Sequence, residues 1–300
     1  MQFFYPDTPD LPLPPGHRFP AGKYAMLRDL IRRKGTLGNA LLTPSPAATL
    51  AELAFAHDAD YVSAVLNGTL SAGIQRRIGL PWSETLVARS LATTGGSLAA
   101  ARSALRNGLS GQLAGGTHHA HRDFGSGYCV FNDLAVAALT ICAEGDVSRI
   151  AIVDLDVHQG DGNAAILSGN AAMFVLSIHG EKNFPFRKVP STLDVGLVDG
   201  TGDADYIRAL AGALERVADF RPELILYLSG VDPLASDKLG RLSLTFDGLE
   251  ERDRMVFQFC RRRGIPVSIA IGGGYADPIT DSVHAYASTF RIAREVFDGV

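Results

Sequence analysis

Acidic residues and a histidine follow a short apolar run in the middle of the chain. Residues 149–161 read RIAIVDLDVHQGD, so Asp154, Asp156 and His158 lie at every second position after the run. On an extended backbone, residues two apart point to the same side. Two carboxylates and an imidazole that converge are typical ligands of a borderline divalent cation such as zinc. One aspartate alone could be a helix cap, but burying three ionisable groups without a cation is costly, which favours metal binding.

A glycine-rich stretch, residues 111–132, is too irregular for a helix or a strand and is predicted to be a long functional loop. It contains the adjacent histidines His118 and His119. In such a loop both side chains can face one site, as metal ligands, as a proton-transfer pair or by accident. The residues alone leave these readings open. His57 lies outside this loop and is predicted to be a surface or helix-end histidine.

Two later apolar runs also end in polar groups. Asp232 follows LILYL, and Tyr275 follows three glycines after a run that ends at Ile271. Because loops at the carboxyl ends of parallel strands form the sites of α/β proteins, these groups are expected beside the first cluster. Asp156, His158 and Asp232 would then bind a metal and leave positions open for water and substrate.

Such a cluster suits the hydrolysis of an amide. The metal would acidify water and polarise a carbonyl, and His118 and His119 would act as base and acid. Asp154 and Asp161 are natural hydrogen-bond partners for the far nitrogens of these rings. Tyr275 could donate a hydrogen bond to a developing oxyanion, although a tyrosine after a turn is, in isolation, more often a core or surface residue.

Strand and helix patterns alternate after residue 130, which predicts a parallel sheet wrapped by helices. Continuous apolar runs are typical of strands that are covered on both faces. Earlier strands are predicted near residues 3–5 and 40–42. Residues 70–82 and 181–202 contain glycines and prolines, and they are predicted to be irregular.

The composition, 46% hydrophobic and 20% charged, is that of a globular protein, and residues 1–300 are expected to form one α/β domain. A net charge of −4 argues against a general nucleic-acid binder. Three cysteines without a Cys-x-x-Cys motif favour a reducing compartment, so the expected location is cytoplasmic. The N-terminal residues lack the pattern of a signal peptide, and no apolar run is long enough to span a membrane.

The chain resembles the zinc-dependent histone deacetylase superfamily from about Pro14 to the C terminus. The resemblance rests on five motifs in this order: GGTHHA, GYCVFND, DLDVHQGDG, SGVDP and GGGY. The HQGDG form, SIHGEKNFPF and DGTGD are most similar to the class IV branch and its bacterial relatives. This resemblance implies a three-layer α/β arginase–deacetylase fold, with an eight-stranded parallel sheet flanked by helices.

The resemblance also implies one Zn²⁺ per chain, bound by Asp156, His158 and Asp232. It further implies a structural K⁺ near Asp154, Asp156, His158 and Ser177. A manganese hydrolase of the arginase type would need more carboxylate ligands than the sequence offers.

Catalytic roles follow from the same resemblance. His118, backed by Asp154, would be the buried member of the proton-transfer pair. His119, backed by Asp161, would be the general base and acid, and Tyr275 would polarise the substrate carbonyl.

An acyl channel is implied as well, lined by Gly127, Tyr128 and Phe184. Cys129 would lie below this channel, and Arg18 would lie near an internal cavity.

One residue departs from many relatives, which have a second histidine at the position of Gln159. The class IV group shares the glutamine, so we interpret it as a marker of that branch. Glu84 is a candidate for the acidic residue with which some family members hold the substrate backbone.

The implied activity is that of a metal-dependent hydrolase of non-peptide C–N amide bonds, which removes acetyl or longer fatty acyl groups from lysine side chains. Its partner would be an acyl-lysine protein or peptide, or an acylated small amine. Two alternatives remain open: a deacetylase of acetylpolyamines, and a catalytically silent module that binds acyl groups. Intact Tyr275, both histidines and all three ligands favour an enzyme.

Overall fold

One sheet of eight parallel strands organises the computed structural model, which describes residues 1–299. The strands run in the spatial order β2-β1-β3-β8-β7-β4-β5-β6. Their bounds are β1 (Gln2–Tyr5), β2 (Leu41–Pro44), β3 (Leu109–Gln112), β4 (Ile150–Asp154), β5 (Met173–Gly180), β6 (Leu193–Leu197), β7 (Leu224–Leu228) and β8 (Val267–Ala270). Every pairing is parallel, which confirms the predicted fold class.

Helices lie between consecutive strands, as is usual for parallel pairing, except between β5 and β6, where residues 181–192 contain no helix. They are α1 (Lys23–Lys34), α2 (Leu50–Leu53), α3 (Ala59–Asn67), α4 (Ala72–Ile78), α5 (Glu84–Asn107), α6 (Asp133–Glu144), α7 (Asp161–Leu167), α8 (Asp203–Phe220), α9 (Phe246–Arg263) and α10 (Ile279–Asp298). Among residues 1–299, none of these helices has the length and apolar character needed to cross a bilayer.

The central strand β4 shows why its sequence is a continuous apolar run. Ile150 and Ile152 pack in the core that α5 and α6 cover, whereas Ala151 and Val153 pack in the opposite core, beneath α1, α8, α9 and α10. Because side chains alternate along a strand, both faces of β4 are buried. The result is three layers, with helices on each side of the sheet.

Three short elements differ from the sequence-based expectation. Residues 70–82 contain the helix α4, which begins after Ser71, whose side chain accepts a hydrogen bond from the backbone N–H of Ile74 at 3.3 Å. The strand β3 takes the first residues of the glycine-rich loop, and β6 lies within residues 181–202. Both strands lack a continuous apolar run, and their identity comes from pairing with β1, β8 and β5.

Candidate metal centre and active site

Two carboxylates and one imidazole meet at the carboxyl end of the sheet. Asp156 and His158 follow β4, and Asp232 follows the adjacent strand β7. Nδ1 of His158 lies 3.0 Å from Oδ1 of Asp156 and 3.1 Å from Oδ2 of Asp232. All three side chains are buried, and their ligand atoms lie within 4.8 Å of one another. This donor set fits a divalent cation, because it gathers nitrogen and oxygen ligands on one point.

Backbone amides hold these carboxylates in place. Val157 N–H donates to Oδ1 of Asp232 at 2.8 Å, and Gly273 N–H donates to Oδ2 of Asp156 at 2.7 Å. Glycine is required at position 273, since a Cβ there would overlap Oδ2 of Asp232. The GGGY loop therefore closes directly over the two acids.

Burial and mutual contact set the pKa values of the three groups. Burial acts to lower the pKa of His158, but its hydrogen bonds with Asp156 and Asp232 outweigh this and raise it to about 10. Burial, with the charge of Asp156, raises the pKa of Asp232 to about 7. Burial acts to raise the pKa of Asp156, but the charge of His118 and the contacts of His158 hold it well below its usual range. Cation binding would therefore release a proton from this cluster.

The adjacent histidines lie beside this centre, each against its own carboxylate. Nδ1 of His118 is 2.7 Å from Oδ2 of Asp154, and Nδ1 of His119 is 2.6 Å from Oδ1 of Asp161. The two rings are 4.1 Å apart between centroids and are buried. The structure thus brings together the four residues that the sequence predicted as a proton-transfer group.

The two histidines differ in charge state. Burial acts to lower the pKa of His118, but the charges of Asp154 and Asp156 raise it to about 9. Burial and the positive charge of His118 lower the pKa of His119 to about 4, against the opposing effect of Asp161. Near neutral pH, His118 is therefore protonated, and His119 is free to accept a proton.

A third histidine, which the sequence analysis did not single out, shares the carboxylate of Asp161. Nε2 of His121 lies 3.0 Å from Oδ2 of Asp161, and its ring stacks on Phe124 at 4.3 Å between centroids. Burial acts to raise the pKa of Asp161, but hydrogen bonds with His119 and His121 hold it well below its usual range. Asp161 therefore remains ionised behind His119.

Asp133, another residue that sequence reasoning missed, fixes the loop that contains the two histidines. The Asp133 carboxylate accepts hydrogen bonds from the backbone N–H groups of Gly116 at 3.0 Å and Thr117 at 2.7 Å. Ser97 Oγ donates to the same carboxylate at 2.5 Å. Because Thr117 directly precedes His118, these bonds set where the histidine pair begins.

His57 corrects a sequence-based expectation. It is buried rather than at the surface, and Nδ1 lies 2.9 Å from the carbonyl oxygen of His121. Its Nε2 accepts a hydrogen bond from the backbone N–H of Asn132 at 2.8 Å. The ring therefore joins the middle of the glycine-rich loop, at His121, to its last residue, Asn132.

Tyr275 faces the same cavity from the GGGY loop. Its backbone N–H donates to Oδ2 of Asp237 at 2.6 Å, and burial raises the pKa of its phenol, which stays protonated. The buried cation on this side is Lys23, not Arg18, which is exposed. Lys23 Nζ donates to the carbonyl oxygen of Gly274 at 3.0 Å and lies 4.8 Å from the centroid of the Tyr275 ring.

A cavity of about 1000 Å³ opens over these residues. Gly127, Tyr128 and Phe184 line it, and the buried Cys129 lies on its wall. Phe184 stands 4.9 Å from the ring of His119 between centroids. Glycine is needed at position 127, where φ is +53° and a Cβ would lie 2.7 Å from the His119 ring. Gly127 and Phe184 thus lie against the ring of His119.

Four other residues named from the sequence have clear positions. Asp154 and Ser177 lie opposite each other on β4 and β5, and Ser177 Oγ is 3.0 Å from Nδ1 of His179. Gln159 is buried and donates to the carbonyl oxygen of Val189 at 2.8 Å. Glu84 begins α5, is exposed and is not part of the cavity wall.

Arg252 on α9 is a further residue that the sequence analysis missed. It is fully buried and forms an ion pair with Asp253 at 2.8 Å. Its Nη1 donates to the carbonyl oxygens of Gly230 at 2.5 Å and Leu155 at 3.4 Å. These carbonyls belong to the two loops that carry the metal ligands, so α9 supports both loops from behind.

Comparisons with known proteins agree with this geometry. The histone deacetylase domain model matches residues 17–290. An uncharacterized protein of Picosynechococcus sp. (strain PCC 7002) is 44% identical over 95% of this chain and 96% of its own. The acetoin utilization protein AcuC of Bacillus subtilis is 30% identical over 86% of this chain and 73% of its own. Histone deacetylase 2 of Arabidopsis thaliana is 28% identical over 89% of this chain and 73% of its own.

The chain therefore belongs to the histone deacetylase family. It is a hydrolase that acts on amide bonds of acylated substrates, in a family that depends on a metal.

Proposed function

We propose that this protein is a zinc-dependent deacylase that removes acyl groups from lysine side chains. The observation that carries the proposal is that Asp156, His158, the neutral His119 and Tyr275 line one cavity, while Asp232 completes the donor set beside Asp156 and His158. Residues 1–300 would act as one catalytic domain. The class IV assignment rests on the stretches HQGDG, SIHGEKNFPF and DGTGD, with Gln159 as a marker of that branch, and a cytoplasmic location rests on the three free cysteines.

Zinc held by Asp156, His158 and Asp232 would acidify a water molecule and polarise the amide carbonyl. His119 takes a proton from the attacking water at its Nε2, because Asp161 holds its Nδ1, and the water oxygen adds to the carbonyl carbon. The same ring then returns the proton to the departing amine.

His118 and Tyr275 act without transferring the proton themselves. His118 stays protonated against Asp154, and its charge keeps the pKa of His119 low. Tyr275 donates its phenol hydrogen to the carbonyl oxygen as negative charge develops there. A K⁺ near Asp154, Asp156, His158 and Ser177 would support the strand ends.

The lysine side chain and the acyl chain would share the cavity of about 1000 Å³, whose wall includes the buried Leu11, Phe19, Leu80 and Leu86. An acetyl group fills only a small part of that volume, which supports acyl groups longer than acetyl. An acetylpolyamine deacetylase remains the alternative, and the substrate panel described next distinguishes the two.

The test is a panel of lysine peptides carrying acyl chains of increasing length, together with acylated spermidine, with and without chelator. We expect chelator-sensitive release of acyl groups from the peptides. Tyr275→Phe should lower turnover about 10²–10³-fold while zinc is retained, because one oxyanion donor is lost. The matched control is Tyr5→Phe, whose hydroxyl bonds Arg32 away from the cavity.

Two results would contradict the proposal. Near-normal turnover in Tyr275→Phe would remove the assigned oxyanion donor. A zinc-loaded protein that binds acyl-lysine but releases no acyl group from any substrate would instead be the catalytically silent module.

A further inference from the structure

The exposed charged side chains at the mouth of the cavity are all positive. Seven residues of the cavity wall are exposed, and apart from Phe186 all of them are cationic. These six residues, which we call the basic rim, are Arg18, Arg76, Arg77, Lys182, Arg187 and Arg241. The net charge of the chain is −4, so the rim is a local concentration and not a reflection of composition.

Acidic side chains neutralise little of the basic rim. Asp199 lies 3.2 Å from Arg241 and 4.0 Å from Lys182. Within residues 1–299, the other four rim arginines have no ion-pair partner. The aspartates that line the cavity, Asp156 and Asp161, are buried, and each already contacts a histidine ring. A ligand at the mouth therefore meets uncompensated positive charge.

One rim residue is held in a defined position relative to the proposed base. The guanidinium carbon of Arg77 lies 4.2 Å from the centroid of the Phe124 ring. Phe124 stacks on His121, which contacts Asp161, the partner of His119. Stacking of this kind restrains an arginine while leaving its hydrogen-bond donors available to a carboxylate.

We propose that the basic rim selects acyl-lysine residues that are flanked by aspartate or glutamate in a peptide or protein. This inference rests on the proposed deacylase function and names its substrate class. A cleft lined by charge of one sign raises the local concentration of oppositely charged ligands and speeds their association. The same rim repels acylated polyamines, which keep positive charges beside the scissile amide.

The test uses peptides with one acyl-lysine and identical acyl chains, flanked by acidic, neutral or basic residues. At low salt, kcat/KM should be about tenfold higher for acidic than for basic flanks, because the rim acts on association. The ratio should approach one at high salt, where exposed charges are screened. Values of kcat should differ little.

Charge reversal at the rim provides the second arm. Arg77→Glu combined with Arg187→Glu should abolish or invert the preference for acidic flanks. Arg216→Glu is the matched control, since Arg216 is exposed on α8 and is not part of the cavity wall. It should leave the order of the three peptides unchanged.

The outcomes separate this inference from the proposed function. Turnover of all peptides with equal kcat/KM, or with basic flanks preferred, overturns the role of the rim and leaves the deacylase intact. If no peptide is turned over, the proposed function fails, and fluorescence anisotropy with the same peptides still tests the rim. Equal affinities, or tighter binding of a DNA oligonucleotide than of the acidic peptide, would then overturn it.

Discussion

Replacement of Asp133 by asparagine should destabilise the loop that presents the two histidines. One carboxylate oxygen of Asp133 accepts from Gly116 N–H and Ser97 Oγ, and the other accepts from Thr117 N–H. An amide of the same shape has only one oxygen. Whichever way the asparagine side chain turns, its NH₂ group faces one backbone N–H.

The cost follows from that mismatch. Hydroxyl groups such as that of Ser97 can rotate and become acceptors, but a backbone N–H cannot. A buried donor left without an acceptor costs about 1–3 kcal/mol, and the remaining bond loses its charge assistance. We therefore expect Asp133→Asn to lower the free energy of unfolding by about 2–4 kcal/mol.

Catalysis should suffer as well, because His118 follows Thr117 directly. A displacement of about 1 Å in a catalytic group can cost about 10²-fold in rate. We expect kcat to fall by about 10–100-fold under conditions in which the variant is fully folded.

The assay is urea unfolding followed by circular dichroism, combined with kcat on an acyl-lysine peptide. The control is Asp29→Asn, an exposed residue of α1 whose side chain retains 62% of its accessibility. This control should change stability by no more than about 0.5 kcal/mol. An Asp133→Asn variant with wild-type stability, wild-type kcat and an unchanged dependence of the unfolding free energy on urea concentration would refute the argument that this carboxylate holds the loop. If the variant lost stability but kept a normal kcat, the Asp133 carboxylate would stabilise the fold without positioning the histidines.

Two further predictions follow from the same structure. Asp232→Asn should lose zinc in elemental analysis, and added zinc should raise the melting temperature of the wild type but not of the variant; full zinc retention would exclude Asp232 as a ligand. Burial lowers the pKa of His57 to about 4, below the value of about 6.5 in the unfolded chain. Its contribution to stability is therefore fully present above about pH 6.5 and is lost as the pH falls towards about 4, because the unfolded chain then binds a proton that the folded protein does not. The stability difference between wild type and His57→Gln should therefore shrink by about 1.5 kcal/mol from pH 6.5 to 5, and a constant difference would contradict this.

Local sequence was sufficient where one element carries its own signal. The apolar run before Asp154 predicted a strand covered on both faces, and β4 is that strand. The same reasoning failed for β3 and β6, whose residues LSGQ and LDVGL contain no continuous apolar run. Their strand geometry depends on partners that lie elsewhere in the chain.

Supporting residues were missed for a related reason. His121 meets Asp161 across 40 residues of sequence, and Arg252 reaches the carbonyl of Leu155 across 97. His57 was predicted to lie at the surface, but it is buried because its ring bridges two distant backbone groups. No spacing rule links such pairs.

By itself, the sequence predicted which groups would do the chemistry, because alternation along a strand and the switch from apolar to polar residues are local properties. Only the tertiary structure decided that His121 shares the carboxylate of Asp161 with His119, and that six cations surround the mouth. Those facts depend on the parallel pairing of β4 with β5 and β7 and on how separate loops gather at one edge of the sheet. Contacts of this kind join residues far apart in the chain, so their energies are set by packing and not by neighbours in sequence.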